Sequence, residues 1–278
     1  MSNTTDFPTI LIRPRTGFGG IRAREVWDSR FLLLRLARRD LTLRYRQTAL
    51  GVTWVILQPL LAAGVLNFVF TKVAKLDTEG VPGFALIMSG YVGWSCFSTV
   101  VSKASSSILS NAGMISKVFF PRLLLPLSTV LSTLVDVGVG VALLLGTLLV
   151  TGVGISFKIF FIIPMLLCFA LLAFGIGAAM SALAVPYRDI NYVLPVMLQL
   201  LLYGSPVAYA LSNIPKSVGR FIDFNPLVGL LEGMRWASLP HRAFPTSSLV
   251  RSAIIGIPVV IVGLLIFERV ERDFADVI

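Results

Sequence analysis

Side chains that could carry catalytic chemistry are few in this 278-residue chain. His241 is the only histidine, and Cys96 and Cys168, the two cysteines, both lie in apolar runs. This pattern disfavours a Ser/His/Asp triad, a zinc site and a disulfide framework. No glycine is followed by lysine, so the sequence lacks a Walker A phosphate loop. We expect no catalytic residue, metal or cofactor on this chain, and any ATP that drives it would be hydrolysed, with magnesium, by a separate chain.

Acidic side chains give little support to a proton relay or to an enzyme. Asp136 is the only ionisable residue well inside an apolar run, whereas proton relays usually consist of several such residues. We expect it to bond a neighbouring helix or a lysine. Asp189, beside Arg188, is the only acid in a loop between spans that we predict to be cytoplasmic. The paired carboxylates that an enzyme at one face of the bilayer would need are therefore missing.

Aromatic side chains recur inside the apolar runs. Tyr91, Trp94 and Phe97 are three residues apart and fall roughly on one helix face, while Phe68 and Tyr203 lie in two other runs. Aromatic rings stack on sugar faces and offer a hydroxyl or indole donor to the sugar rim. These five residues are our candidates for a carbohydrate conduit. Packing and aromatic belts at the bilayer interfaces are the alternative explanation for any one of them.

The composition places these residues in a membrane. Hydrophobic residues make up 56% of the chain and charged residues only 14%, with a mean hydropathy of +0.86, whereas soluble domains have about a quarter charged residues. A spanning helix needs about 20 mostly apolar residues. Six stretches qualify, at about 50–71, 84–102, 123–151, 157–184, 192–211 and 249–267. The sequence therefore predicts an all-α integral membrane protein with six transmembrane helices.

Small residues in the fourth stretch indicate where one helix packs closely on another. They are Gly175, Ala178, Ala179 and Ala182.

Basic residues set the expected orientation of these helices in the membrane. With the N-terminus inside, 16 of the 24 Lys and Arg residues fall in cytoplasmic segments and eight fall outside. Residues 1–49 hold ten Arg and four acids. A basic stretch just before an apolar run is more typical of a cytoplasmic membrane flank than of nucleic-acid binding. We expect cytoplasmic N- and C-termini.

Residues 26–46 have the pattern of an amphipathic helix that lies along the membrane. Leu34, Ala37, Leu41 and Tyr45 fall on one side, opposite Arg35, Arg39, Thr42 and Arg46. Asp40 and Arg44 are four residues apart, so they can pair. A generic interfacial anchor is the alternative interpretation of this segment.

The loop between the second and third stretches, residues 103–122, has three basic residues and no acid. Asn111 can cap a short helix that Pro121 would end. Exposed Met114, Ile115, Val118 and Phe119 would then suit docking in a groove on a partner. A helix packed under its own bundle is equally compatible with the sequence.

Residues 212–247, between the fifth and sixth stretches, hold four prolines. Between two of them, residues 227–239 can form a helix of about 20 Å, which is too short to cross a bilayer. A re-entrant or surface-lying helix pair and an ordinary outside loop are the alternatives.

Several blocks, in order and at matching spacing, resemble type-2 ABC exporter permeases for polysaccharides. The first are Arg38-Arg-Asp-Leu-Thr-Leu-Arg-Tyr-Arg46, Leu50-Gly-Val-Thr-Trp54 and Gln58-Pro59. Next come Ser110-Asn-Ala-Gly-Met-Ile-Ser-Lys-Val-Phe-Phe-Pro-Arg122 and Leu125-Pro126. The last are Pro186-Tyr-Arg-Asp-Ile190, Gly204-Ser-Pro206 and Asn225-Pro-Leu-Val-Gly-Leu-Leu-Glu-Gly-Met-Arg-Trp236. The resemblance runs from residue 26 to about 240, whereas the last span matches only in hydropathy.

This resemblance implies a permease homodimer with two copies of an ABC ATPase subunit that binds ATP and magnesium. It implies export of lipid-linked O-antigen, capsular polysaccharide or teichoic acid through a channel between the protomers. The transmembrane domain would be residues 26–268, between cytoplasmic tails 1–25 and 269–278. Residues 26–46 would be the interface helix, about 111–121 the coupling helix, and about 213–240 the outside helices that cap the exit.

The same resemblance assigns residues to contacts. ATPase coupling would involve Asn111, Met114, Ile115, Lys117, Val118, Phe119, Arg44 and Arg46. The family often has two basic residues where this chain has Ser116 and Lys117. The basic rim formed by Arg44, Arg46 and Arg122 could attract a lipid pyrophosphate, although the ordinary positive-inside bias also explains these arginines. A permease for a drug or small amphiphile, a membrane enzyme of lipid-linked sugars and a passive anchor are the alternative functions.

Overall fold

A computed structural model describes residues 23–46, 53–118, 120–215, 217, 219 and 222–271, and this part of the chain is helical with no strand. The first half contains α1 (Ala23–Asp28), α2 (Arg30–Arg46), α3 (Thr53–Asn67) with a π-helical extension (Phe68–Val73), α4 (Gly83–Ser110), α5 (Ala112–Ile115) and α6 (Leu124–Val150). The second half contains a 3₁₀ turn (Phe157–Phe161) leading into α7 (Ile162–Leu183), then α8 (Ile190–Gly204), a 3₁₀ turn (Leu211–Asn213), α9 (Leu227–Ser238) and α10 (Thr246–Glu271).

Five helices of the described residues are long and apolar enough to cross a membrane, which fits the predicted all-α membrane protein. They are Thr53–Val73, Gly83–Ser110, Leu124–Val150, Phe157–Leu183 and Thr246–Glu271. The predicted second span, 84–102, was too short, because α4 continues through the first eight residues of the expected loop.

The fifth predicted span, 192–211, is helical only as far as Gly204. Its helix, α8, has 15 residues, about 22 Å at 1.5 Å per residue. Pro206 has no backbone N–H and disfavours a helical conformation in the residue before it. Ser205 accordingly adopts an extended conformation, with φ −111° and ψ 146°. Residues 205–210 then continue without a helix, and most of them are buried.

Helix α4 is the centre of the bundle. It packs against α6 and α7 along much of its length and also contacts α3, α8 and α9. The main apolar core surrounds it, and a second, smaller core joins the end of α4 to α2, the start of α6 and the ends of α7 and α10. We call this second region the α2 end of the bundle and the opposite region the α9 end.

The small residues of the fourth stretch do mark a close helix contact. Gly175 of α7 crosses Gly263 of α10 so closely that a Cβ on Gly263 would lie 2.2 Å from the Gly175 carbonyl oxygen. Ala178, Ala179 and Ala182 are buried on the same helix. The two backbones therefore approach each other without intervening side chains, as small residues allow in membrane helices.

Helix α9 lies beside the first half of α10. Pro226, just before α9, contacts Gly256, whereas Gly233, further along α9, contacts Leu249. Gly256 is ten residues after Thr246, about 15 Å along the helix. Helix α9 thus starts well inside the bundle and runs back toward its α9 end, which favours the re-entrant alternative over a surface-lying helix.

We predict that Gly263→Ala lowers the melting temperature of the purified protein, because the added methyl group meets backbone atoms that cannot rotate away. Overpacking of this kind costs about 1–3 kcal/mol. Gly146→Ala in α6 is the matched control, since nothing lies within 4 Å of the position that its added methyl group would take, and alanine stabilises a helix interior by about 0.5–1 kcal/mol relative to glycine. Equal melting temperatures for the two variants would contradict the close α7–α10 contact.

Candidate functional site

The segment predicted as a coupling helix, residues 111–121, contains only one helical turn. Helix α5 ends at Ile115, six residues before Pro121, so the prediction that Pro121 ends the helix was wrong. Met114 and Ile115 are half-buried against the smaller core, whereas Lys117 and Val118 are exposed. Phe119 lies outside the described residues. One part of the segment therefore packs under its own bundle, whereas residues 116–118 face outward, and docking of the segment on a partner stays a prediction.

Asn111 anchors this segment and does not cap its helix. Its side-chain amide donates to the Ser107 carbonyl oxygen at 2.8 Å, and its amide oxygen accepts a hydrogen bond from Arg39 Nη2 at 2.7 Å. The expected side-chain cap on α5 is absent because both ends of the amide are already bonded within α4 and to α2. Arg39 also pairs with Asp40 at 3.0 Å, and Ser128 of α6 donates weakly to Asp40 at 3.4 Å.

The face of α2 that packs on the protein includes Leu36 and Ala37, which are buried against the start of α6. Of the residues predicted on one apolar side of a helix along the membrane, Ala37 is therefore buried, whereas Leu34 is half exposed. The contacts of Asp40 with α6 and of Arg39 with Asn111 hold α2 in this rotation. The side chains of Arg44, Tyr45 and Arg46 lie outside the described residues, so the predicted Asp40–Arg44 pair and the roles of Arg44 and Arg46 remain predictions.

A depression of about 240 Å³ opens beside the exposed part of the segment. It is lined by Ile115, Ser116, Lys117, Val118, Phe120 and Arg122. Arg122 Nη1 donates to the backbone carbonyl of Glu271 at 2.7 Å. The last carbonyl groups of a helix lack partners within that helix, and a cation satisfies them well. This contact ties the segment to the end of α10.

The five aromatic candidates do not share one environment. Trp94 and Phe97 are 6% and 2% exposed and pack on each other in the main core, with ring centroids 5.8 Å apart. Tyr91 is partly buried against that core. Phe68 and Tyr203, in contrast, are 61% and 54% exposed. Of these five residues, only Phe68 and Tyr203 are more than half exposed.

Asp136 bonds a lysine on a neighbouring helix, as expected from the sequence. Its Oδ2 lies 3.1 Å from Nζ of Lys103, and the same ammonium group also donates to Thr133 Oγ1 at 3.3 Å. Both charged side chains are largely shielded. The pair joins α4 to α6 at the level of the spans, where an isolated carboxylate would be costly.

Arg235 was not among the predicted site residues, although it lies in the last of the blocks that carry the family resemblance. It lies in α9, and its side chain is completely buried. Nη2 donates to the carbonyl oxygens of Pro206, Val207 and Tyr209, at 2.6, 3.2 and 2.9 Å. These are carbonyls of the non-helical segment that follows α8. Arg235 therefore supplies the hydrogen bonds that this backbone would otherwise lack.

The charge of Arg235 is balanced by Glu232, one turn earlier in α9, at 2.8 Å from Nη1. Burial lowers the pKa of the Arg235 guanidinium, and the neighbouring Glu232 carboxylate opposes that shift. Arginine stays protonated because its ordinary pKa is far above neutrality. Nε finds no partner among the described residues. The spacing of Glu232 and Arg235 in a short helix between prolines was the one available sequence signal of a buried pair.

Asn225, just before α9, holds the other end of the same non-helical segment. Its amide nitrogen donates to Ser205 Oγ at 2.8 Å, and its amide oxygen accepts from the Leu227 backbone N–H at 3.0 Å. The side chain thus caps the start of α9 and holds the end of α8 at once. Together, Asn225 and Arg235 clamp both ends of residues 205–210, where α8 is broken.

We predict that Arg235→Gln strongly destabilises the protein, by about 3–5 kcal/mol, because it leaves three buried carbonyl groups without their cation and leaves Glu232 with only its longer contact to Arg242, at 3.4 Å. Thermal unfolding followed by size-exclusion chromatography in detergent measures this effect. Arg251→Gln is the matched control, since its pair with Asp223 at 3.0 Å has both side chains 46% exposed. An exposed pair contributes less than about 1 kcal/mol, and similar losses in both variants would argue against the clamp.

Comparison with known proteins places this geometry in a family. A family model described as "ABC-2 type transporter" matches residues 32–239, which include α4, the 111–121 segment and the Arg235 site. The chain is 28% identical over 250 residues to the O-antigen export system permease protein RfbA of Klebsiella pneumoniae, covering 89% of this chain and 95% of that protein. It is also 28% identical over 255 residues to RfbA of Myxococcus xanthus, covering 91% and 97% of the two chains.

A polysialic acid transport protein is also similar. The polysialic acid transport protein KpsM of Escherichia coli is 26% identical over 246 residues, which is 84% of this chain and 91% of that protein. These matches agree with the resemblance found in the sequence blocks, and they extend over nearly the whole length of the relatives. The chain belongs to the ABC-2 type transporter family.

Proposed function

We propose that this chain is the membrane permease subunit of an ATP-driven exporter that moves a lipid-linked, undecaprenyl-type polysaccharide across the bacterial inner membrane. The observation that carries the proposal is the near full-length similarity to permeases named for O-antigen and polysialic acid transport. ATP and magnesium would be bound by a separate ATPase subunit, since the sequence has no Walker A loop.

The active assembly in this proposal is a permease homodimer with two ATPase subunits, with both permease termini in the cytoplasm. Helices α3 and α8 support a conduit between protomers, because they are sparsely buried by their own chain. Only 11% of the α3 span is buried, against 72% of the α4 span, and α8 has no buried residue. Phe68 and Tyr203 lie on these two helices and would face the sugar chain.

The α2 end would receive the force from the ATPase. Residues 116–118 project outward, while Arg39–Asn111 ties the segment to α2 and Arg122 ties it to the end of α10. A push on the segment would therefore be transmitted to α2, to α10 and to α4, to which Asn111 is also bonded. Lys117 and Arg122 also line the depression beside it and would offer positive charge to a lipid pyrophosphate.

We predict that the tagged chain, purified from its own membranes, carries an ATP-hydrolysing subunit in equal ratio. Lys117→Asp combined with Val118→Asp should remove that subunit, because both side chains are exposed at the proposed contact. Lys75→Asp, the same lysine substitution in the loop between α3 and α4, is the control and should leave the complex intact. A chain that purifies without ATPase activity would contradict the proposed function.

We predict that Tyr203→Ala slows export of the polysaccharide without lowering the melting temperature. A lost ring contact costs about 0.5–1.5 kcal/mol, which corresponds to roughly a two- to twelvefold lower rate. Surface polysaccharide after a pulse of labelled sugar measures the effect. Tyr192→Ala, an exposed tyrosine at the other end of α8, should export at the parental rate. Export of a dye instead of glycan by the parent would point to the drug-permease alternative.

A further inference from the structure

A chain of four alternating charges joins three segments at the α9 end of the bundle. Arg235 pairs with Glu232 at 2.8 Å, Glu232 pairs with Arg242 at 3.4 Å, and Arg242 pairs in turn with Glu79. We call these four residues the charge chain. Arg235, at the inner end, holds the non-helical residues that follow α8, whereas Glu79, at the outer end, belongs to the loop between α3 and α4. Helix α9 is therefore connected by charge to an element that is far away in the sequence.

Arg242 is the central residue of this connection. Its guanidinium lies between the carboxylates of Glu232 and Glu79, and its own carbonyl oxygen is 3.5 Å from the ammonium group of Lys158. Lys158 in turn lies over the ring of Trp236 in α9, 5.5 Å from the centroid. The arginine thus receives contacts from the loop, from α9 and from the start of the fourth span.

The pairs of the charge chain are more shielded than an ordinary surface ion pair. The Arg242 side chain is 15% exposed and the Glu79 side chain 32%, whereas Arg251 and Asp223 are each 46% exposed. Ser212 additionally donates to Glu79 Oε1 at 2.6 Å, and Asn213 donates to the Asp77 carbonyl oxygen at 2.9 Å. The loop is therefore held against the segment that follows α8 by several polar contacts that act together.

The backbone on both sides of the outermost pair is strained. Glu79 has φ 57°, and His241, directly before Arg242, has φ 56°. Residues other than glycine rarely adopt this left-handed conformation, and they keep it only where surrounding contacts enforce it. Such strain is common in segments that switch between two arrangements. Separation of Arg242 from Glu79 would allow both turns to relax.

We propose that Arg242 is a positioning residue of the exit: it fixes α9 against the loop between α3 and α4 in the resting protein, and its contact with Glu79 opens during each export cycle. This inference rests on the proposed function, because it assigns a residue to the movement that lets the polymer leave. The Glu232–Arg235 pair stays closed in the same cycle, since its opening would uncover the buried carbonyls of residues 206–209.

The test is a reducible cross-link between the two positions. Glu79→Cys and Arg242→Cys are introduced with Cys168→Ser, because Cys168 is the exposed native cysteine. Spheroplasts that contain the complete exporter are treated with a short bis-methanethiosulfonate linker, and labelled polysaccharide appearing outside is measured. We expect the linked protein to export at least tenfold more slowly and to recover its rate after dithiothreitol. The bridge holds the two positions together as the native ion pair does, so only a contact that must open gives a block that reduction of the bridge relieves.

The controls separate the failure of this inference from failure of the proposed function. Each single-cysteine variant takes the linker without bridging and should export at its untreated rate. A parent that exports no polysaccharide would overturn the proposed function itself. A bridged protein, verified by mass spectrometry, that exports as fast as the reduced one would overturn the inference alone. Should the double variant be inactive before linking, Asp77→Cys with Asn213→Cys ties the same loop to the segment after α8, which Arg235 holds against α9, and it leaves Arg242 and Glu79 in place.

Discussion

The arrangement of the α9 end depends on how a non-helical backbone is satisfied beside membrane spans. Helix α8 ends at Gly204, and residues 205–210 continue without helical hydrogen bonds. Lipid offers no hydrogen bonds to the carbonyl groups that are freed in this way. Arg235 provides three of these bonds from inside the bundle. To bring its guanidinium there, α9 must fold back beside α10 and must carry Glu232 to balance the charge. The break in α8 and the re-entrant course of α9 are thus two parts of one solution.

The same solution explains why close backbone contacts surround α9. A Cβ on Gly229 would lie 2.1 Å from the Ser248 carbonyl oxygen, and one on Gly90 would lie 2.5 Å from the Val207 carbonyl oxygen. Only glycine lets α9 reach α10, and only glycine lets α4 reach the broken segment. The central helix α4 therefore contacts the non-helical residues directly at one end and carries the 111–121 segment at the other. In the proposed transport cycle, this continuous helix connects the ATPase contact directly to the α9 end.

For the aromatic residues, helical periodicity predicts which of them share a face but not what that face contacts. Tyr91, Trp94 and Phe97 share a helix face, as their spacing predicts, but Trp94 and Phe97 point into the protomer core. In a soluble protein the polar residues would mark the outer face of such a helix. A spanning helix is apolar on every side, because lipid, protein core and an aromatic-lined conduit all accept apolar rings. Sequence spacing therefore identified a common face without identifying what that face contacts.

The sequence by itself determined the membrane class, the positions of the long spans, the close packing at Gly175 and the family, because each depends on composition, local spacing or ordered blocks. It also indicated that Asp136 bonds a lysine or a neighbouring helix, since an unpaired carboxylate is costly inside a membrane. Only the tertiary structure decided the rotation of α2, the single turn of α5, and the partners of Arg235 and Arg242. Those features join residues that are up to 163 positions apart, and their energy comes from which buried charge meets which carbonyl or carboxylate. Local sequence does not predict these contacts, because they form only once the helices have packed.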